Sequence, residues 1–180
     1  MLNINDFISE KLKINSKSII NEYNYHPKDK DELEKLVKKL IDERGNKANL
    51  NDIDTSEIIS MDSLFKGTNF NGDISKWDVS NVIYMGLMFS YSKFNGDISE
   101  WDVSNVKDMS YMFYKSKFNG DLSNWDVSNV EEMYNMFDNS KFTNENGDIS
   151  KWDVSNIKDM EKIFNKCNLK KTPKWYNQVH

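Results

Sequence analysis

The most reactive side chain in this sequence is its one cysteine, Cys167. A cysteine nucleophile needs a general base within hydrogen-bond reach. The two histidines are His26, far upstream, and His180, the last residue, and neither sits in a motif that would make it that base. Cys167 occupies the position that Ser92, Ser116 and Ser140 occupy in earlier stretches, which marks a small packed side chain. A single cysteine also excludes an intrachain disulfide framework and a thiolate zinc set. The carboxylates Asp78, Asp102, Asp126 and Asp153 recur in register, with Asp54 before them. Stacked carboxylates could hold a hard cation. Each, however, lies in the word Trp-Asp-Val-Ser-Asn or its degenerate copy, with neither EF-hand spacing nor a glycine-rich nonapeptide. Turn bonding to nearby N–H groups is the better reading, and it extends to the Ser80 and Asn81 columns. Gly72, Gly96, Gly120 and Gly147 each sit in Asn-Gly-Asp, which predicts a tight turn with glycine at positive φ. No phosphate-binding glycine fingerprint is present. No catalytic, cofactor-binding or metal residue is assigned, no cofactor is expected, and the chain reads as a non-enzyme.

The elements that hold these columns come from a repeat. Trp77, Trp101, Trp125 and Trp152 are spaced 24, 24 and 27 residues apart, and Met85, Met109, Met133, Met160 and Phe89, Phe113, Phe137, Phe164 keep the same steps. The longer step comes from three added residues between Phe142 and Asp148. Ile53 to Ile58, Met61 and Phe65 form an earlier, degraded unit, as expected of a terminal repeat. Each unit is expected to supply a short extended segment, as at Asp97-Ile98-Ser99, and one short helical piece, as from Met109 to Tyr114. The predicted fold class is therefore an α/β solenoid, an array of about five 24-residue units with a helical N-terminal cap.

Three segments follow: a cap over 1–48, the repeat array over 49–168 and a C-terminal cap over 169–180. Residues 1–48 carry 10 basic and 9 acidic side chains, net +1, which leaves 14 and 20 in the remainder, net −6, and −5 for the whole. Leu33, Leu36, Val37, Leu40 and Ile41 predict an amphipathic helix between Asp29 and Gly45. Phe7, Ile8, Lys11 and Leu12 suggest a shorter one, and Ile19, Ile20 and Tyr23 an apolar patch. Pro173, Trp175 and Tyr176 break the repeat, and the aromatics are expected to cover the last unit.

Variable positions mark a candidate partner surface: Ile83, Tyr84, Leu87, Tyr91, Tyr111, Tyr114 and Tyr134. They are more apolar or aromatic than a free surface requires, and tyrosine suits protein interfaces. No basic stripe is read beside them and the chain is acidic, so nucleic acid is not an expected partner.

The word Asp-Ile-Ser-x-Trp-Asp-Val-Ser-Asn-Val-x-x-Met-x-x-Met-Phe, closed by Phe-Asn-Gly and best seen from Asp97 to Gly147, resembles the BspA-like leucine-rich repeat surface proteins. That repeat is also described as a mycoplasma lipoprotein-associated domain of unknown function. The resemblance covers about residues 49 to 168. It implies an irregular leucine-rich-repeat array, often bacterial, and a role in adhesion or host-protein binding, with no catalytic residues to carry over. The expected function is a monomeric, non-enzymatic scaffold for a protein partner, with a carbohydrate or other ligand module as the alternative and activity in the N-terminal region as a remoter one. No apolar run is long enough to span a bilayer. The start at Met1 lacks a signal peptide, which predicts a cytoplasmic location; the resemblance alone implies a surface or secreted one.

Overall fold

The structure is a computed structural model and describes residues 23–178. The expected features at Phe7–Leu12, Ile19, Ile20 and His180 lie outside those residues. Among the described residues there is one α-helix, α1 (Lys30–Arg44), two single-turn 3-10 segments (Ile149–Lys151 and Tyr176–Gln178) and no β-strand. The chain is therefore not the α/β solenoid, nor the strand-and-helix leucine-rich-repeat array, that the spacing predicts. Its repeat units are built from turns.

The reason lies in the backbone. The expected helix from Met109 to Tyr114 contains Tyr111 at φ 57°, and Lys115 follows at φ 52°. Left-handed residues cannot continue a right-handed helix. The N–H groups of Met109, Tyr111, Phe113 and Lys115 donate to Glu132, Tyr134, Met136 and Asp138 carbonyls one unit on, at 2.9–3.0 Å. Those of Met112, Tyr114 and Ser116 donate three residues back within the unit, at 3.0–3.1 Å. Successive i→i+3 turns thus produce the apolar spacing that resembles a helix. The expected strand at Asp97–Ser99 fails for a related cause: the Asp97 carboxylate accepts from the Ser99 N–H and hydroxyl, at 3.0 and 2.8 Å. Such a side-chain turn competes with a ladder for the same N–H.

Each unit, or rung, meets the next through isolated parallel bridges, Ser60 to Tyr84 to Asp108 to Glu132 to Asp159. Between the rungs lies one continuous apolar core. Phe65, Phe89, Phe113, Phe137 and Phe164 stack with centroids 5.6, 5.7, 5.5 and 5.6 Å apart. Phe70, Phe94, Phe118 and Phe142 pack beside them at 4.8, 4.4, 4.3 and 4.2 Å. The four repeat tryptophans are buried. Each indole N–H donates to a carbonyl of the preceding rung: Trp77 to Leu50, Trp101 to Ile74, Trp125 to Ile98 and Trp152 to Leu122, at 2.9–3.2 Å. Trp175, outside the repeat word, continues this column by donating to Ile149 O at 2.8 Å. The expected cover over the last rung is thus partial. Val154, Ile157 and Met160 are half-buried where Val127, Val130 and Met133 are fully buried, and a groove of about 600 Å³ opens beside them.

The added residues have a task of their own. Asn144, buried at φ 63°, donates from Nδ2 to Lys171 O and accepts from Ile149 N–H, while Asn146 Nδ2 bonds Asn119 O. They tie the segment after the repeat back onto the last rung.

At the other end, α1 starts at Asp29, which accepts from Glu32 N–H (2.9 Å), and stops at Gly45, φ 85°. Leu33, Val37 and Leu40 are buried in the common core, whereas Leu36 and Ile41 are half-buried. Arg44 forks onto Asp52 at 3.0 and 3.0 Å and reaches Asn49 O and Tyr25 Oη. Residues 24–25 pair with the first rung beyond it, through Asn24 N–H to Asp52 O and a Tyr25–Ile53 bridge.

The glycines of Asn-Gly-Asp are not where positive φ is needed; among glycines only Gly45 and Gly67 adopt it. They are required by close approach instead. A Cβ on Gly96 would lie 2.9 Å from the Phe94 ring and 3.0 Å from Gly72 O. Gly96→Ala is therefore expected to cost about 1–3 kcal/mol by overpacking. Urea unfolding checks this, and a variant as stable as the parent would mean that the rungs part freely there.

Candidate interaction surface

The side chains that point away from the core are positioned by the alternating turns. Tyr91, Tyr111 and Lys115 sit at left-handed residues, φ 57°, 57° and 52°, a conformation that few bulky residues adopt. Tyr91 and Tyr114 meet edge to face at 5.2 Å, Tyr111 and Tyr114 at 5.4 Å, and Tyr111 and Tyr134 at 5.0 Å. Lys115 Nζ lies 5.1 Å from the ring centroids of both Tyr91 and Tyr114, and donates to Tyr91 Oη at 3.3 Å. The Tyr114 and Tyr91 hydroxyls raise the Lys115 pKa, and Lys115 in turn lowers that of Tyr91. Burial raises the Tyr134 pKa. Tyr91 is 52% exposed, and Tyr111, Tyr114 and Tyr134 are half-buried.

Four of the seven expected surface residues therefore form one cluster across three rungs. Leu87, half-buried, is the rung-neighbour of Tyr111. Ile83 and Tyr84 lie elsewhere, on the bridge segment, next to Ile59. Ile59 is 56% exposed and Tyr84 46%, so the first two rungs carry a second apolar patch. Sequence reasoning missed Ile59 because its unit is degraded, though its 24-residue offset from Ile83 was readable. It also missed Lys115, the cation that joins the rings.

The reading of no basic stripe does not survive. Lys93, Lys117 and Lys141 are exposed and stand one rung apart, their backbone N–H groups donating to Thr68, Ser92 and Ser116 carbonyls. They lie two residues beyond the Tyr91, Lys115 and Asn139 column.

The remaining columns are structural. Asp54, Asp78, Asp102, Asp126 and Asp153 each accept from the N–H two residues on. Asn81, Asn105, Asn129 and Asn156 donate from Nδ2 to a serine carbonyl of the preceding rung, at 2.7–2.9 Å. The Cys167 thiol donates to Phe142 O and lies 3.6 Å from Ser140 Oγ, and burial raises its pKa. His26 Nδ1 is 3.1 Å from Asp54, on the first rung, whereas Cys167 lies on the last.

Hydrogen bonds from Ser99 hold the Asp97 carboxyl below its ordinary value, and Ser128 does the same for Asp126. A carboxyl with a depressed folded pKa stabilises fully above the unfolded value of about 3.9, and that stability is lost as pH falls through the folded pKa. Urea midpoints should therefore hold steady down to about pH 5 and drop below about pH 4. Asp97→Asn keeps an acceptor that does not titrate, and it should flatten that drop.

The family model described as "Mycoplasma protein of unknown function, DUF285" matches residues 32–146 and, again, 114–177. The chain belongs to this family. The two matches overlap within the repeat, and the first includes most of α1. No curated protein and no solved structure matches this DUF285 chain. Among its described residues no helix is long and apolar enough to cross a membrane.

Proposed function

We propose that this DUF285 chain is a non-enzymatic scaffold that binds a protein partner through the tyrosine cluster on its second to fourth rungs. The observation that carries the reading is the ring set Tyr91, Tyr114, Tyr111 and Tyr134, with Tyr91 and Tyr111 at left-handed residues and the four rings in edge-to-face contact with one another. Rigid amphipathic rings of this kind bury area at low entropic cost and keep hydroxyls for hydrogen bonds. The BspA-like resemblance of the repeat word points the same way, toward protein recognition. Against an enzyme, the one thiol is bonded to a carbonyl and held protonated by burial. Against a sugar or base platform, the Tyr91 and Tyr114 faces already hold Lys115. In this reading α1 and the Trp175 segment are caps over the two ends of the stack.

The test is affinity capture from the native cell with the full chain and with a Tyr91→Ser, Tyr111→Ser, Tyr114→Ser variant. A specific protein should be captured by the parent and lost by the variant, while the thermal midpoint of the variant stays near that of the parent. Capture unchanged by the variant would refute the tyrosine surface.

A further inference from the structure

The Lys93, Lys117 and Lys141 column is hard to explain by folding alone. Their backbones stand on adjacent rungs, each bonded to the rung before it, so three like charges stand in one row. None of them forms an ion pair among the described residues. The same fold solves this problem elsewhere: on the bridge segment Lys107, Glu131 and Lys158 alternate in sign and pair. A chain of net charge −5 has carboxylates to spare, yet places none in this row. Lys66, Lys115 and Lys166 are exposed on the neighbouring turns and add to the positive field. Lys93 follows Tyr91 by two residues, and Lys117 follows Tyr114 by three.

We infer that this strip is the binding site for an acidic, extended segment of a protein, whose carboxylates lie along Lys93, Lys117 and Lys141 while its backbone and side chains meet Tyr91 and Tyr114. The inference rests on the scaffold reading and names the partner's chemistry. Two observations favour a peptide over nucleic acid. The strip is narrow: Asp97 and Asp121 follow four residues after Lys93 and Lys117, and this acidic column would repel a broad polyanion. The rings nearest the strip, Tyr91 and Tyr114, meet edge to face and both carry Lys115, so they offer no parallel faces for successive stacked bases.

The experiment measures fluorescence anisotropy of the full chain with labelled probes at low and moderate salt. The probes are a short peptide of alternating Glu and Ser, its Gln counterpart and a single-stranded oligonucleotide of similar charge. The Glu peptide should bind roughly tenfold or more tighter than the Gln peptide and weaken with salt. Replacing Lys93, Lys117 and Lys141 together with Ala should abolish that difference. Replacing Lys35, Lys38 and Lys39 of α1 makes the same charge change elsewhere and should not. Equal binding of Glu and Gln peptides, or equal effects of the two triple variants, would overturn the inference, and tighter binding of the oligonucleotide would replace it with nucleic acid. These outcomes are separable from failure of the scaffold reading. A captured partner that depends on the tyrosines but survives the Lys93, Lys117, Lys141 variant leaves the scaffold standing and removes only the acidic segment.

Discussion

Trp125→Ala is expected to destabilise the chain by about 3–5 kcal/mol, a large share of the roughly 5–15 kcal/mol that holds a domain folded. Trp125 is 3% exposed, on a rung with a neighbour on each side. Its ring lies 6.4 Å from Phe113, and its indole N–H holds Ile98 O at 3.0 Å. Truncation leaves a cavity between rungs that other bonds keep at fixed spacing, so the site collapses poorly. It also removes one of the two hydrogen bonds on Ile98 O, which keeps only the Trp101 N–H at 3.3 Å; a lost hydrogen bond of this kind costs about 0.5–1.5 kcal/mol. Trp125→Phe fills most of the volume but not the hydrogen bond, and should lose about that smaller amount. Trp175→Ala, at the partly open end, should lose less than Trp125→Ala. Urea unfolding of the three variants reads the order directly. A loss below about 1 kcal/mol for Trp125→Ala would show that the column fills space without carrying stability.

The second large effect is expected at α1. Leu33 and Leu40 are fully buried in the core shared with the first rungs. Changing both to Asp removes two leucines, at about 2–5 kcal/mol each, and drives charge into an apolar contact. The double variant should populate the unfolded state at room temperature or associate through its exposed first rung. Leu36→Asp, at a half-buried position, should be far milder. Size-exclusion chromatography and a urea melt distinguish the cases. A monomeric double variant with the parental midpoint would make α1 a bystander, and the capping role would fall.

The columns were legible because identical residues recur at 24-residue steps, and inward residues in one rung must be inward in the next. The local structure was not legible, because a chain of i→i+3 turns and a short helix share the spacing of Met109, Met112 and Phe113. Only the φ of Tyr111 and Lys115 separates them, and neither is a residue that announces a left-handed turn. The Asn-Gly-Asp word was read wrongly as a tight turn with a φ requirement: residues 95–97 carry no turn, and the Phe94 ring that crowds Gly96 is visible only in three dimensions. For the surface, tyrosines drew notice by type. The lysines at 93, 117 and 141 did not, because single lysines are ordinary on a surface, although their 24-residue steps were as readable as those of the other columns. The Arg44–Asp52 fork, eight residues long in sequence, likewise depends on where α1 ends.

Asn144 and its neighbours give the repeat a grammar. Between Asp73 and Gly120 each rung offers the next the same seat, so duplication or loss of one whole unit would leave every remaining contact in kind. The rung that carries the insertion is different: Asn144 must find Lys171 O and Ile149 N–H at fixed offsets. Unequal recombination could therefore lengthen or shorten the stack upstream of this point, whereas a crossover within residues 143–148 would cut the tie. Relatives of this chain should differ in rung number by multiples of one unit, with the inserted word travelling as a single block beside the segment it anchors.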